Sequence, residues 1–433
     1  MSSGGPPPSQ PPSYTPPSAP RDADPRPSAP TSGGYPAGGM AAFAPASGYA
    51  SSLAQPTPYT PPAPVAPSPA ESLPALPVPT RKGRTVSLWL FGVLGFVLIA
   101  LVGYFVWALG SVASVVGLVL ALIPLTIVFL GVRMIDRWEP EPKRLVAFAI
   151  LWGAVAAVGL TLLVDTGLTM LFDIRSEEFT AVVQAPIVEE VGKGLGVFLI
   201  FLLARRAFDG PVDGIVYGAL VGAGFAFSEN IQYFGLSLIE GGGEQLTVTF
   251  VVRGLLSPFA HAMFTAMTGF AIGLVARRHG SASAALGAGA LGLIGAILLH
   301  ALWNGSATFA DFFGLYFTLQ VPLFIGFILV IVALRREEAR LTRARLAEYA
   351  AAGWFTPEEV TMLATPAGRK VGLAWAAGLR GDRRPLMRTF IKDATELAAV
   401  RQRAITGRDP LAKDDERALL IRTRATRAAL LAY

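Results

Sequence analysis

The chain has 433 residues, 52% of them hydrophobic and 15% charged, with a mean hydropathy of +0.51. It contains no cysteine, which excludes thiol nucleophiles and every Cys-ligated metal or redox motif. The net charge of +6 does not point to nucleic acid, because Lys and Arg fall in short clusters beside apolar runs.

Residues 1–80 hold 23 of the 34 prolines and almost no Leu, Ile or Val. Such a segment cannot bury enough apolar surface to offset chain entropy, so a disordered, partly polyproline-like tail is expected. With no short apolar core near Met1 it does not read as a signal peptide.

Residues 86–334 follow as a membrane domain. Eight apolar runs, each long enough to cross a bilayer as a helix, lie near 86–109, 113–133, 145–171, 181–204, 213–238, 248–276, 283–304 and 313–334. The predicted fold class is all-α, a polytopic bundle of about eight transmembrane helices in the cell membrane. Basic residues mark alternate loops: Arg81, Lys82 and Arg84; Arg133, Arg137, Lys143 and Arg144; Arg205 and Arg206; Arg277 and Arg278; Arg335 and Arg336. The intervening loops are poor in them, which predicts both termini on the cytoplasmic side.

Residues 335–433 return to soluble composition and predict a small cytoplasmic helical domain. A charged helix should stop near Gly353, and "TPEEV" at 356–360 reads as an N-cap followed by Pro at the first helical position.

The fourth run contains the adjacent carboxylates Glu189 and Glu190 and the amine Lys193, where each charge at a helix centre costs roughly 2.5–3.5 kcal/mol. Glu189 and Lys193 are four apart and share a face. The fifth run adds Glu229 and Asn230, with Phe225 one turn before. The sixth adds His261, with Thr265 one turn on, and the seventh ends with His300 and Asn304. Rise per residue puts Glu189 and Glu229 about 15 and 14 Å below the outer surface, and His261 near 20 Å. His300 is expected about one turn from that surface, capping the layer from outside. Gly192 and Gly196, and Gly218 and Gly222, have the spacing that lets helices approach closely. Pro258 frees a backbone carbonyl one turn before His261.

Several costly groups at one depth indicate a wet internal site rather than helix glue. Carboxylates with two histidines suit water activation, a Glu acting as general base while His and Asn stabilise an oxyanion. The same set can hold a divalent metal, although the HExxH signature is absent. His279 and Asp165 are expected to be bystanders, and Arg253 to snorkel to the outer interface, with gripping substrate as its alternative role.

At these positions the sequence resembles the PrsW intramembrane proteases, relatives of the CAAX prenyl proteases. The resemblance rests on "EEVGK" at 189–193, "FAFSEN" at 225–230, "PFAHAMFTAMTG" at 258–269 and "HALWN" at 300–304, with "DRWEPEP" at 136–142 and "DGPVDGIVYG" at 209–218. It covers about residues 115–334. It implies a multi-pass endopeptidase acting on membrane-bound, single-span proteins, an anti-sigma factor among them. The catalytic set would be Glu189, Glu190, Glu229, His261 and His300, with Lys193, Asn230 and Asn304 in support. The family is filed as metallopeptidases, whereas CAAX-protease relatives look like metal-free glutamate enzymes; here Glu229 stands where those relatives have His. The preferred expectation is a site requiring no cofactor. The other is Zn²⁺ on His261, His300 and Glu229. From a different class, a proton-coupled transporter would also use intramembrane Glu and His, but would predict inverted repeats that the sequence lacks.

Overall fold

The computed structural model describes residues 81–432 except 137, 139, 173–175, 206, 279, 310 and 406–410. The Pro-rich segment 1–80 lies outside the described residues, as does His279. Every regular element among the described residues is helical. The chain divides after Glu338 into a membrane-type unit and a second unit beginning at Ala339.

Among the described residues, five helical stretches are long and apolar enough to cross a membrane: Trp89–Ile135, Lys143–Phe172, Pro211–Arg277, Ala282–Phe309 and Phe312–Ala351. The helix carrying the two adjacent glutamates, Ala185–Leu203, is 19 residues long and is not among the five. Its three ionisable residues are the reason, since composition alone disqualifies a helix that charge has interrupted.

Two of the five stretches contain a reversal. Helix α1 (Arg81–Ile135) breaks at Gly110, where φ is 77°, a left-handed conformation that glycine adopts without steric penalty. The Ser114 hydroxyl donates back across this break to the Phe105 carbonyl at 3.0 Å. After α2 (Lys143–Phe172) and α3 (Ala185–Leu203) comes α4 (Pro211–Thr249), which reverses at Gly242 with φ 64°. Beyond Gly242 the chain runs back beside its own first arm. Ser237 and Thr249 hydroxyls meet at 2.8 Å, and Arg253 reaches Asn230 at 3.0 Å. The returning arm passes through a π-helical turn, Phe250–Leu256, and a non-helical break at Ser257 before α5 (Ala260–Arg277). The break falls beside Pro258, which cannot continue a backbone hydrogen-bond ladder.

The first arm of α4 and α5 pack antiparallel along a seam of small residues. A Cβ placed on Gly214, Gly218 or Gly222 would lie 2.0, 2.7 and 2.3 Å from the carbonyl oxygens of Gly269, Thr265 and His261. Backbones this close leave room only for hydrogen, and the four-residue spacing keeps the stripe on one helix face. Helix α6 (Ala282–Phe309) packs on α5, with Gly292 against the Met267 carbonyl. The stretch Phe312–Ala351, most of which is α7 (Val321–Ala351), is the least enclosed of the five.

At the end of this unit holding Arg133 and Arg277, the 136–142 loop is tied down by acidic side chains. Asp136 accepts from the Glu141 N–H, and Tyr217, fully buried, donates to Glu141 at 2.5 Å. Asp213 caps α4 by accepting from the Asp209 and Gly210 N–H groups. Burial, with Asp213's negative charge second, pushes the Glu141 carboxyl up to about 11.

The second unit holds α8 (Pro357–Leu363), α9 (Pro366–Ala377), α10 (Arg384–Ile405) and α11 (Ala412–Leu431) around Leu346, Tyr349, Phe390, Leu397 and Leu419. The predicted stop occurs at Gly353, with φ 86°, and Thr356 caps α8 through a reciprocal bond with Glu359.

Candidate active site

Helix α3 presents Glu189, Glu190 and Lys193 inward because three- and four-residue spacings share a face. All three are buried, Glu190 and Lys193 completely. Lys193 Nζ donates to Glu189 Oε2 at 3.0 Å and to Glu190 Oε1 at 2.8 Å, lies 3.1 Å from His261 Nδ1, and sits 3.8 Å above the Phe225 ring. Glu190 also accepts from Thr265 Oγ1 at 3.0 Å and faces His300 Nδ1 at 3.1 Å. His300 Nε2 is left 3.9 Å from Glu189 Oε2, too long for a direct hydrogen bond. His261 Nε2 contacts Glu229 Oε2 at 2.9 Å, and Arg253 clamps the same carboxylate while its Nε donates to Asn230.

Glu189, Glu190, Lys193, Glu229, His261 and His300 thus meet as one buried cluster, from four helices. Asn230 joins it through Arg253. Asn304 points elsewhere: its amide donates to the Ala181 carbonyl at 2.8 Å, holding α6 against the turn before α3. Asp165 is engaged by Gln184 at 2.9 Å.

Two sequence expectations need correction. The His300 and His261 rings stand 5.0 Å apart, edge to face, so His300 does not cap the site from outside. Helix α6 runs to Phe309, nine residues past His300, which sinks that ring about 14 Å from the helix end. Nor does Arg253 merely snorkel. It spans Glu229 and Asn230, with its guanidinium 3.8 Å above the Tyr233 ring.

The supports that sequence reasoning missed sit on π-helical turns. These occur at Trp152–Ala157, Thr180–Gln184, Phe250–Leu256 and Tyr316–Gln320, and each carries a polar side chain reaching another helix. Trp152 Nε1 donates to the Gly192 carbonyl at 3.0 Å, while its ring fills the space where a Cβ on Gly196 would fall at 2.1 Å. That seat fixes the rotation of α3, hence the aim of Glu189. A π-turn widens the helix by one residue and re-aims the side chains beyond it. A basic residue inside the sixth run was the one available signal for Arg253.

One donor atom each from Glu189, His261 and His300 lie within 4.8 Å of one another. Two imidazoles and a carboxylate make a hard-to-borderline donor set that fits a divalent cation, and the Lys193 ammonium already lies between two of the three, as a cation would. The carboxylate of this trio is Glu189 rather than Glu229, which is taken up by Arg253.

Residues 141–332 match the sequence profile of the PrsW family intramembrane metalloproteases. Among curated proteins, the chain is similar to Protease PrsW of Geobacillus kaustophilus, 33% identical over 138 residues, covering 32% of this chain and 57% of that protein. Protease PrsW of Clostridioides difficile is 33% identical over 158 residues, 35% of this chain and 63% of the relative. Protease PrsW of Bacillus subtilis is 31% identical over 144 residues, covering 32% and 59% respectively. The chain thus spans less than two thirds of the length of each of these relatives. No solved structure matches it significantly.

Proposed function

We propose that this chain, whose residues 141–332 form a PrsW-family membrane region, is an intramembrane endopeptidase that hydrolyses peptide bonds of membrane-bound, single-span proteins. The observation that carries the reading is the convergence of three glutamates, two histidines and a lysine in one buried cluster. Isolated ionisable groups in a bilayer are expelled or neutralised; a joined set marks a site. In the same reading, the breaks at Gly110 and Gly242 turn the long stretches into paired crossings. With Ala185–Leu203 they give eight spans in a bacterial cell membrane, both termini cytoplasmic.

In the mechanism, Glu189 takes the proton from the attacking water in the gap it shares with His300 Nε2. Glu190 is saturated by Lys193, His300 and Thr265, so it orients rather than reacts. As the imidazolium, His300 donates Nδ1–H to Glu190 and turns Nε2–H toward the substrate, where it polarises the scissile carbonyl. Lys193 holds Glu189 and balances its charge. Arg253 and Glu229 fix His261. Protein donors aimed at developing charge in a water-poor site are worth far more than in water.

The donor trio favours a second reading, in which Glu189, His261 and His300 hold a divalent metal such as Zn²⁺. When bound, the metal polarises the carbonyl and lowers the pKa of its water. The decisive experiment pairs the purified protein with a single-span reporter substrate, wild type against Glu189→Gln. Equal cleavage by the two would remove the assignment to this site.

A further inference from the structure

Helices α5, α6 and the segment leading into α7 flank a small, partly open cavity whose lining includes Met263, Phe264, Leu302, Trp303, Gln320 and Leu323. Its volume is about 10 Å³, room for one water-sized group. Phe264 forms the wall shared with the active site, since its ring stacks on His300 with centroids 5.0 Å apart. The other walls include Trp303, one turn after His300.

The one polar member is Gln320, the last residue of the π-helical turn Tyr316–Gln320, and it is buried. Its amide orientation is determined by its neighbours. The Ser306 hydroxyl donates to the Trp303 carbonyl at 2.7 Å, so toward Gln320 it can only accept. It does so from Gln320 Nε2 at 2.5 Å. Gln320 Oε1 is then left with no partner, one of the few buried side-chain atoms among the described residues in that condition. An acceptor stripped of water and left unpaired is destabilising, so a native fold that keeps one needs a reason for it.

Intramembrane proteolysis supplies one. A substrate helix must unwind to expose the cut bond, and its freed N–H groups then find no water at membrane depth. Extended chain advances about 3.3 Å per residue, so a strand threaded past His300 reaches the far side of the Phe264 ring two or three residues from the cut. Helix α7, in the least enclosed of the five stretches, flanks this route.

We propose that Gln320 is a substrate-binding residue. Its Oε1 accepts a backbone N–H from the unwound substrate segment, and the cavity beside it takes a side chain no larger than a methyl or hydroxymethyl group. The proposal rests on the endopeptidase reading above and extends it to substrate choice.

The test uses the full-length protein in lipid nanodiscs with a Leu/Ala single-span reporter helix carrying a Ser-Gly break. Each of the three positions on either side of the cut is set in turn to Ala or Leu. The wild type should prefer Ala over Leu at one position two or three residues from the cut. Gln320→Met, of similar volume but without the acceptor, should lower kcat/KM about tenfold, the worth of one hydrogen bond. Its unfolding temperature should stay level or rise, because an orphaned acceptor has been removed. Leu302→Phe, which fills the cavity, should depress cleavage of the Ala reporter relative to a Gly one at that position. Unchanged kcat/KM in Gln320→Met, a fall in its unfolding temperature matching its loss of activity, or indifference to Ala and Leu at every position would overturn the proposal. A wild type no more active than Glu189→Gln would instead sink the endopeptidase reading, and this inference with it.

Discussion

Replacing Gly222 by alanine adds one methyl group at the seam that holds His261 in place. The new Cβ would lie 2.3 Å from the His261 carbonyl oxygen and 2.9 Å from the Ala262 Cα. Both are backbone atoms, so no side chain can rotate away. Real Cβ contacts essentially never fall under 3.0 Å, so α4 and α5 must separate locally by at least 3.0 − 2.3 = 0.7 Å. Glu229 rides on α4 and His261 on α5, and their 2.9 Å contact would open to about 3.6 Å, outside hydrogen-bonding range. Overpacking of this kind costs about 1–3 kcal/mol in stability, and misplacement near 1 Å costs roughly 100-fold in rate. The expected result is therefore a loss of tenfold or more in reporter cleavage, with a lowered unfolding temperature in detergent. Gly287→Ala on α6 is the control. Nothing lies within 4 Å of its Cβ, and helix propensity should raise stability by up to about 1 kcal/mol with turnover unchanged. Gly222→Ala cleaving within twofold of Gly287→Ala would refute the claim that this seam sets the site geometry.

The same contacts lead to further outcomes. Glu189→Gln and Glu190→Gln should each abolish cleavage while the protein still inserts, the first by removing the base and the second by freeing His300 and Lys193; comparable turnover by both variants and wild type would contradict the site. Exhaustive chelation should leave the purified enzyme active, with no stoichiometric metal by elemental analysis, whereas one zinc per chain with activity lost to chelator and restored by zinc would establish the metal reading. Glu141, raised from 4.5 to about 11, keeps its proton in the fold and loses it in the unfolded chain. The native state therefore binds more protons between those values, stability falls as pH rises through that window, and Glu141→Gln should flatten the fall in a thermal scan across pH.

The residues that the sequence disclosed and those it hid divide along a physical line. Glu189, Glu190, Lys193, Glu229, His261 and His300 were legible because each is expensive in an apolar run, and expense in a membrane needs no partner to be noticed. The Gly218 and Gly222 stripe was legible as spacing. The depth of His300 was not, because the seventh run reads as ending at Asn304, while the helix continues through "GSATF" to Phe309. Small polar residues neither stop a helix nor announce one. The π-turns were also invisible. Trp152, Arg253 and Gln320 act across helices, and a one-residue widening leaves no mark in a hydrophobic period averaged over 3.6 residues.

Charge balance explains why the cluster supports two chemistries. Fully ionised, Glu189, Glu190 and Glu229 would contribute three negative charges, against two positive ones from Lys193 and Arg253. With both histidines neutral, one unit of negative charge is left over in a buried site, where an uncompensated charge costs several kcal/mol. The cluster therefore has a place for one more positive equivalent. A proton on His300 fits between Glu189 and Glu190 without moving any heavy atom, since that ring already faces both. A divalent metal would instead be held by Glu189, His261 and His300, and two of those three, Glu189 and His261, are the groups that Lys193 now contacts. The ammonium would then keep only Glu190. Lys193 is thus where the readings part: it is a partner of the base in one, and in the other a placeholder that the metal displaces.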